Sequence, residues 1–132
     1  MADISSNSWT EEDNLNISPA PNGMPTGTNP NKLAPTVRDM RAAIKRSWKR
    51  SNPILVSTGT TTALTLSYDV SPDAYVVGET YSFFSHVENA GPITLNVNGL
   101  GARSVIRNDG AALVAGQIKA GQVVTVSFDG VN

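Results

Sequence analysis

The sequence predicts a mainly β protein with an extended N-terminal arm, one short basic amphipathic helix and a small antiparallel β-sandwich or barrel. Short segments after residue 53 alternate apolar and polar residues, which is typical of half-buried strands. Eleven glycines and eight prolines among 132 residues favour many turns. Only residues 35–50 carry apolar residues at helical spacing. We therefore predict an arm over 1–33, a helix over 34–52 and a β domain over 53–132.

The arm is rich in Asn, Pro, Ser, Thr and Gly and carries few large apolar residues. Such a segment cannot bury enough apolar area to offset the entropy lost on ordering. It is therefore either a flexible tail or a segment that becomes ordered on a partner. Trp9 favours the second alternative, because large aromatic side chains often anchor buried interfaces. We expect Trp9 and Met24 to contact that partner.

The helix has recognisable start and stop signals. Pro35 precedes it, Thr36 can cap it, and Asp39 lies in the first turn, where the helix dipole favours a negative charge. Asn52-Pro53 ends it, because a residue before proline avoids helical backbone angles.

The helix also concentrates the positive charge of a nearly neutral chain. With Lys32, it holds seven of the ten Lys and Arg residues, although the net charge is −1. We expect four of them to bind a partner: Arg38, Arg41, Lys45 and Lys49. An apolar stripe runs along the same helix, and we expect it to pack within a trimer or on the chain's own β domain; its members are Val37, Met40, Ile44 and Trp48.

The β domain is predicted from alternating segments and from turns between them. Its strands lie at Leu64–Leu66, Tyr81–Phe83, Ile93–Asn98 and Val124–Phe128. Three dipeptides are hairpin-type turn signals: Asn98-Gly99, Asp109-Gly110 and Asp129-Gly130. Because the last turn has no returning strand, we expect the chain to continue beyond this sequence or to be completed by a partner.

Composition argues against several functions. Without cysteine the chain has no disulfide, thiolate metal site or cysteine nucleophile. His86 is the only histidine, and we expect a surface or hydrogen-bonded residue rather than a metal ligand. We predict no enzymatic activity, no cofactor and no metal, since no catalytic motif occurs. The net charge argues against nucleic-acid binding, and no apolar run approaches the ~20 residues of a membrane span.

Two parts of the chain resemble bacteriophage tail fibre and tailspike proteins. The first combines Trp9 and Gly23-Met24-Pro25 with residues 34–46, Ala-Pro-Thr-Val-Arg-Asp-Met-Arg-Ala-Ala-Ile-Lys-Arg. The second is a β segment similar to a module of phage tail appendages, at residues 88–102 and 115–130. The order of these motifs in one chain is more specific than each motif alone.

The resemblance implies a structural virion protein, the proximal part of a homotrimeric fibre that docks on tail tube, adaptor or nozzle proteins. Host attachment would belong to distal domains absent from this sequence. The alternative is a carbohydrate-binding β module for host glycans, with Tyr68, Tyr75 and Tyr81 as the available aromatic residues. Glycoside hydrolysis would need a pair of carboxylates at a defined separation, and the sequence does not identify such a pair.

Overall fold

A computed structural model describes residues 27–132 of the chain. The chain divides into two compact units, Met1–Trp48 and Lys49–Asn132. The described residues are mostly β with one α-helix, as the sequence predicts. The helix, α1, spans Leu33–Ser51, and the strands are β1 (Thr58–Gly59), β2 (Ala63–Leu66), β3 (Thr80–Phe84), β4 (Ile93–Val97), β5 (Arg103–Val105) and β6 (Val123–Ser127).

The start of α1 differs from the prediction. A 3-10 turn at Pro30–Lys32 leads into the helix, and the side chain of Asn29 caps this turn by accepting a hydrogen bond from the Asn31 amide at 3.0 Å. Thr36 therefore lies within the first helical turn, where its hydroxyl donates to the Lys32 carbonyl at 2.8 Å. Pro35 is tolerated there, because the first amides of a helix need no helical acceptor. The predicted end before Pro53 is confirmed.

The strands form a four-stranded sheet, in the order β1-β2-β4-β5, and a two-stranded sheet of β3 and β6. β2 and β4 pair in parallel, so the larger sheet is mixed and not antiparallel as predicted. A parallel pair needs a long crossover, and here the crossover contains β3, which joins the other sheet. Within residues 27–132 the larger sheet ends at β1 and β5 and does not close into a barrel.

One hydrophobic core takes side chains from both sheets. The predicted inner face of β4 is confirmed, since Ile93, Leu95 and Val97 are all buried. Phe83 of β3 and Val124 of β6 join the same cluster. The two sheets therefore share a single core within the second unit.

Two asparagines hold the connections of this unit. Asn98 has a positive φ of 48° in the tight turn after β4, and its side chain bonds both backbone groups of Tyr68 at 2.9 Å. Asn89 is buried, accepts from the Ile118 amide at 2.8 Å and donates to the carbonyls of Gly91 and Val114. These hydrogen bonds of the Asn89 side chain stabilise the long loop before β6.

Candidate partner-binding surface

The apolar stripe of α1 is exposed in the single chain. Five side chains at spacings of three or four residues retain between 42% and 57% of their accessible surface: Leu33, Val37, Met40, Ile44 and Trp48. At about 100° per residue, they cover one face of about 80°. Isolated exposed apolar residues are ordinary, whereas a contiguous apolar stripe is typical of surfaces that bind partners, so these five residues form a candidate interaction surface.

Three cationic side chains run beside this stripe. Arg41, Lys45 and Arg38 are exposed and follow its edge over about another 60° of the helix surface. We call these three residues together with the five apolar ones the docking surface. Its composition suits a partner that offers both an apolar contact and negative charge.

The two halves of the docking surface are joined by a cation–π contact. The Lys45 ammonium lies 3.9 Å from the centre of the Trp48 ring. This contact fixes the lysine over the indole and is worth about 0.5–1 kcal/mol at an exposed site. Lys45 therefore presents its charge directly above the apolar stripe.

Lys49, also predicted to bind a partner, belongs to the second unit and forms an ion pair within it. Its ammonium lies 2.7 Å from Asp69 Oδ2. The hydrogen bond and charge of Lys49 lower the pKa of the Asp69 carboxyl. Because this pair is exposed to water, it contributes little to stability.

A third face of α1, on the other side of the apolar stripe from the cations, is buried. Thr36 and Ala43 have at most 3% of their surface exposed, and Arg50, one further seven-residue step along, is equally buried. Arg50 forms an ion pair with Glu79, whose second carboxylate oxygen accepts a hydrogen bond from the Tyr81 hydroxyl at 2.8 Å. The prediction did not separate Arg50 from the other basic residues, since composition does not indicate which cation is buried.

The other predicted contact residues, Trp9 and Met24, lie outside the described residues. The tyrosines considered for glycan binding contribute to the core. Tyr68 and Tyr81 retain 8% and 2% of their surface, and the Tyr75 hydroxyl is committed to the Gly101 carbonyl and the Val97 amide. The rings of Tyr68 and Tyr81 are therefore not exposed platforms for a sugar, whereas the Tyr75 ring is partly exposed.

His86 is exposed and hydrogen-bonded, as predicted. Its Nδ1 lies 2.9 Å from the Ser57 hydroxyl and its Nε2 lies 3.3 Å from the Gly59 carbonyl oxygen. Ser57 is buried and also accepts from the His86 amide, so the contacts fix a loop. Between residues 27 and 132, no three His, Asp or Glu side chains are grouped to hold a metal ion, and no helix there is long and apolar enough to cross a membrane.

The structure adds a groove that sequence reasoning missed. It has a volume of about 400 Å³ and lies between β5 and β6 in the second unit. The guanidinium of Arg103 lies 5.6 Å from the ring centres of both Tyr75 and Phe128 at this groove. No local pattern in the sequence marks this groove, because its walls are strands that lie far apart in the chain.

Comparison with protein families, with curated proteins and with solved structures finds no match for this chain.

Proposed function

We propose that this chain is the proximal part of a homotrimeric bacteriophage tail fibre or tailspike, which anchors the fibre to the tail and has no enzymatic activity. The resemblance of residues 9–50 and 60–130 to such proteins motivates the proposal. Its location is the virion, and its partners are two further copies and a tail tube, adaptor or nozzle protein. Host receptors would be bound by distal domains outside this sequence.

The observation that carries the proposal is the composite character of the docking surface. The spacing of Leu33, Val37, Met40 and Ile44 is four, three and four residues, which is the a/d pattern of a coiled-coil seam. Three copies can bury these stripes against one another around a threefold axis. The adjacent Arg38, Arg41 and Lys45 then lie outside the seam and face an acidic surface of the tail.

The shared core of the β unit fits this role. Side chains from both sheets meet in one cluster, which supports a small sandwich as the finer description of the fold. A domain with a single packed core can continue the fibre as a rigid unit. Its fold alone does not specify a function, which depends on its surface.

The experiment separates trimer formation from tail attachment. Mass photometry and multi-angle light scattering of the full chain should give three times the chain mass. Met40→Glu combined with Ile44→Glu should yield monomers, because a charge at each seam position cannot be buried unpaired. A stable monomer at micromolar concentration in the unmodified chain would contradict the trimer.

Attachment is tested with a second variant. Charge reversal of Arg38, Arg41 and Lys45 to Glu should leave the trimer intact and abolish co-sedimentation with fibre-less tails. The control reverses Lys32, Arg107 and Lys119 to Glu, an equal change of net charge outside the docking surface. Equal loss in both variants, or no loss in either, would show that the docking surface does not direct attachment.

A further inference from the structure

The groove of the β unit lies between two open strand edges. β5 pairs only with β4, and β6 pairs only with β3, among the residues that the structure describes. Residues of both strands line the groove, including Ser104 and Val105 on one side and Thr125 and Ser127 on the other. An open edge carries unpaired backbone donors and acceptors and is a template for a further strand.

The pairing of β3 shows which backbone groups of β6 face the groove. Phe84 directs both its amide and its carbonyl to the Leu55–Ser57 segment, at 2.8 Å each, and thus away from β6. Its partner Val123 is therefore in a non-hydrogen-bonded pair, and such pairs alternate along an antiparallel ladder. The amides and carbonyls of Val123, Thr125 and Ser127 consequently point to the open side.

The far end of the strand agrees with this assignment. Phe128, one residue beyond β6, donates to the Glu79 carbonyl at 3.0 Å and accepts from the Gly78 amide at 2.8 Å, both on the β3 side. Even-numbered residues of this segment thus bond β3, and odd-numbered ones face outward. Within the described part of the chain, the outward groups of Thr125 and Ser127 have no hydrogen-bond partner.

The edge of β5 presents one further residue in the same way. The Thr94 amide donates to the Thr62 carbonyl at 2.9 Å, so Thr94 faces β2 and not β5. Its partner Ser104 is accordingly in a non-hydrogen-bonded pair and directs its amide and carbonyl outward. Both walls of the groove therefore offer backbone hydrogen bonds.

The lining of the groove is mixed, with apolar side chains beside polar ones and the cation of Arg103. Val126 and Phe128 face inward from the β6 side, and Leu95 and Tyr81 line the floor. The Arg103 guanidinium has no carboxylate partner among the described residues; its only hydrogen bond is to the Val131 carbonyl at 3.4 Å. Asp129, the nearest acid in the groove lining, is instead bonded by the amides of Val131 and Asn132.

We propose that this groove accepts an extended segment of a partner polypeptide as an added β-strand between β5 and β6. Backbone pairing to Thr125 and Ser127 holds the strand, which is the general mode of β-augmentation. Alternate side chains of the segment enter the groove, and those that meet Val126 and Phe128 are apolar. The side chain that faces Arg103 is acidic, because this guanidinium has no carboxylate partner among the described residues.

The test uses the ¹⁵N-labelled full chain and a synthetic peptide, acetyl-Thr-Val-Thr-Asp-Thr-Val-Thr-amide. Addition of the peptide should shift the Thr125 and Ser127 amide resonances and slow their hydrogen exchange. A peptide with Ser in place of both Val residues should bind at least about tenfold more weakly, because it buries less apolar surface in the groove. The absence of shifts at Thr125 and Ser127 at millimolar peptide would overturn the proposal.

Two further measurements establish strand addition and the acidic preference. Of two peptides N-methylated at one or the other alternate set of amides, at least one should bind about tenfold more weakly than the unmethylated peptide. If both bound as tightly as the unmethylated peptide, strand pairing would be excluded. Arg103→Glu should weaken the Asp peptide about tenfold and restore affinity to a peptide with Lys instead of Asp. The control Lys119→Glu, outside the groove, should change neither affinity.

Other occupants would be recognised in the peptide-free chain. Slow exchange of Thr125 and Ser127 amides at every concentration would mean that the chain itself covers the edge, and protection that grows with concentration would mean a second copy. Either result overturns the assignment to a separate partner. The proposal does not depend on the docking surface of α1, and its test is unaffected by the oligomeric state that surface produces.

Discussion

Tyr68 and Tyr81 provide a matched pair of substitutions whose effects should have opposite signs. The two rings lie in the same core, with centres 6.3 Å apart. The Tyr68 hydroxyl is buried and has no hydrogen-bond partner in the part of the chain that the structure describes. The Tyr81 hydroxyl donates to Glu79 at 2.8 Å. Replacement by Phe keeps each ring and removes only the hydroxyl.

The magnitudes follow from the fate of each hydroxyl. A buried polar group without a partner costs about 1–3 kcal/mol, so Tyr68→Phe should raise the free energy of unfolding by about 1 kcal/mol. A hydrogen bond to a charged group contributes about 1.5–3 kcal/mol, so Tyr81→Phe should lower the free energy of unfolding by that amount. The two variants should therefore differ by at least about 2.5 kcal/mol in stability.

Urea unfolding of the full chain, followed by far-ultraviolet circular dichroism, measures the difference. The slope of the unfolding free energy with urea should stay constant, so that the midpoint alone reports stability. If both substitutions destabilised the protein equally, the Tyr68 hydroxyl would have a partner in solution, and the assignment of an unsatisfied group would be wrong.

Further predictions concern the buried polar groups of the same unit. Arg50→Met should destabilise it by about 3–5 kcal/mol, because Glu79 is left buried without its cation; Lys49→Met, which removes only an exposed ion pair, should leave the urea midpoint nearly unchanged. Burial raises the pKa of Tyr68 to about 12. The folded chain therefore retains this proton to higher pH than the unfolded chain. The stability that Tyr68 contributes should therefore be fully present below pH 10 and be lost as the pH rises toward 12. Thermal melts across that range should show a smaller loss of stability in Tyr68→Phe than in the unmodified chain. Asn89→Ala should cost about 3 kcal/mol, through lost hydrogen bonds, and speed hydrogen exchange of the Ile118 amide.

The features predicted correctly were those set by local pattern. The alternation of Ile93, Leu95 and Val97 identified β4 and its buried face, because side chains of a strand point to opposite sides. Asn52-Pro53 fixed the end of α1 through backbone sterics. The Asn98-Gly99 turn follows from the tolerance of these two residues for positive φ.

The features missed depend on contacts between distant residues. β1 and β5 have two and three residues, which is too short for a periodic signal. The parallel pairing of β2 with β4 is decided by where β3 finds its partner. Arg50 and Lys49 are adjacent basic residues, yet one is buried against Glu79 and the other faces water, a difference that only the tertiary structure defines.

The pairing of β3 with β6 has a consequence for synthesis of the chain. Thr80 and Ser127, which face each other in this ladder, are 47 residues apart. At ribosomal rates of about 5–20 residues per second, β3 waits roughly 2–9 s before its partner strand exists. During that interval the inner residues Tyr81 and Phe83 have no β6 to pack against. The β unit therefore cannot finish folding before β6 has been translated. Until then, each nascent chain on a messenger RNA exposes the unpaired apolar residues of β3 to neighbouring nascent chains.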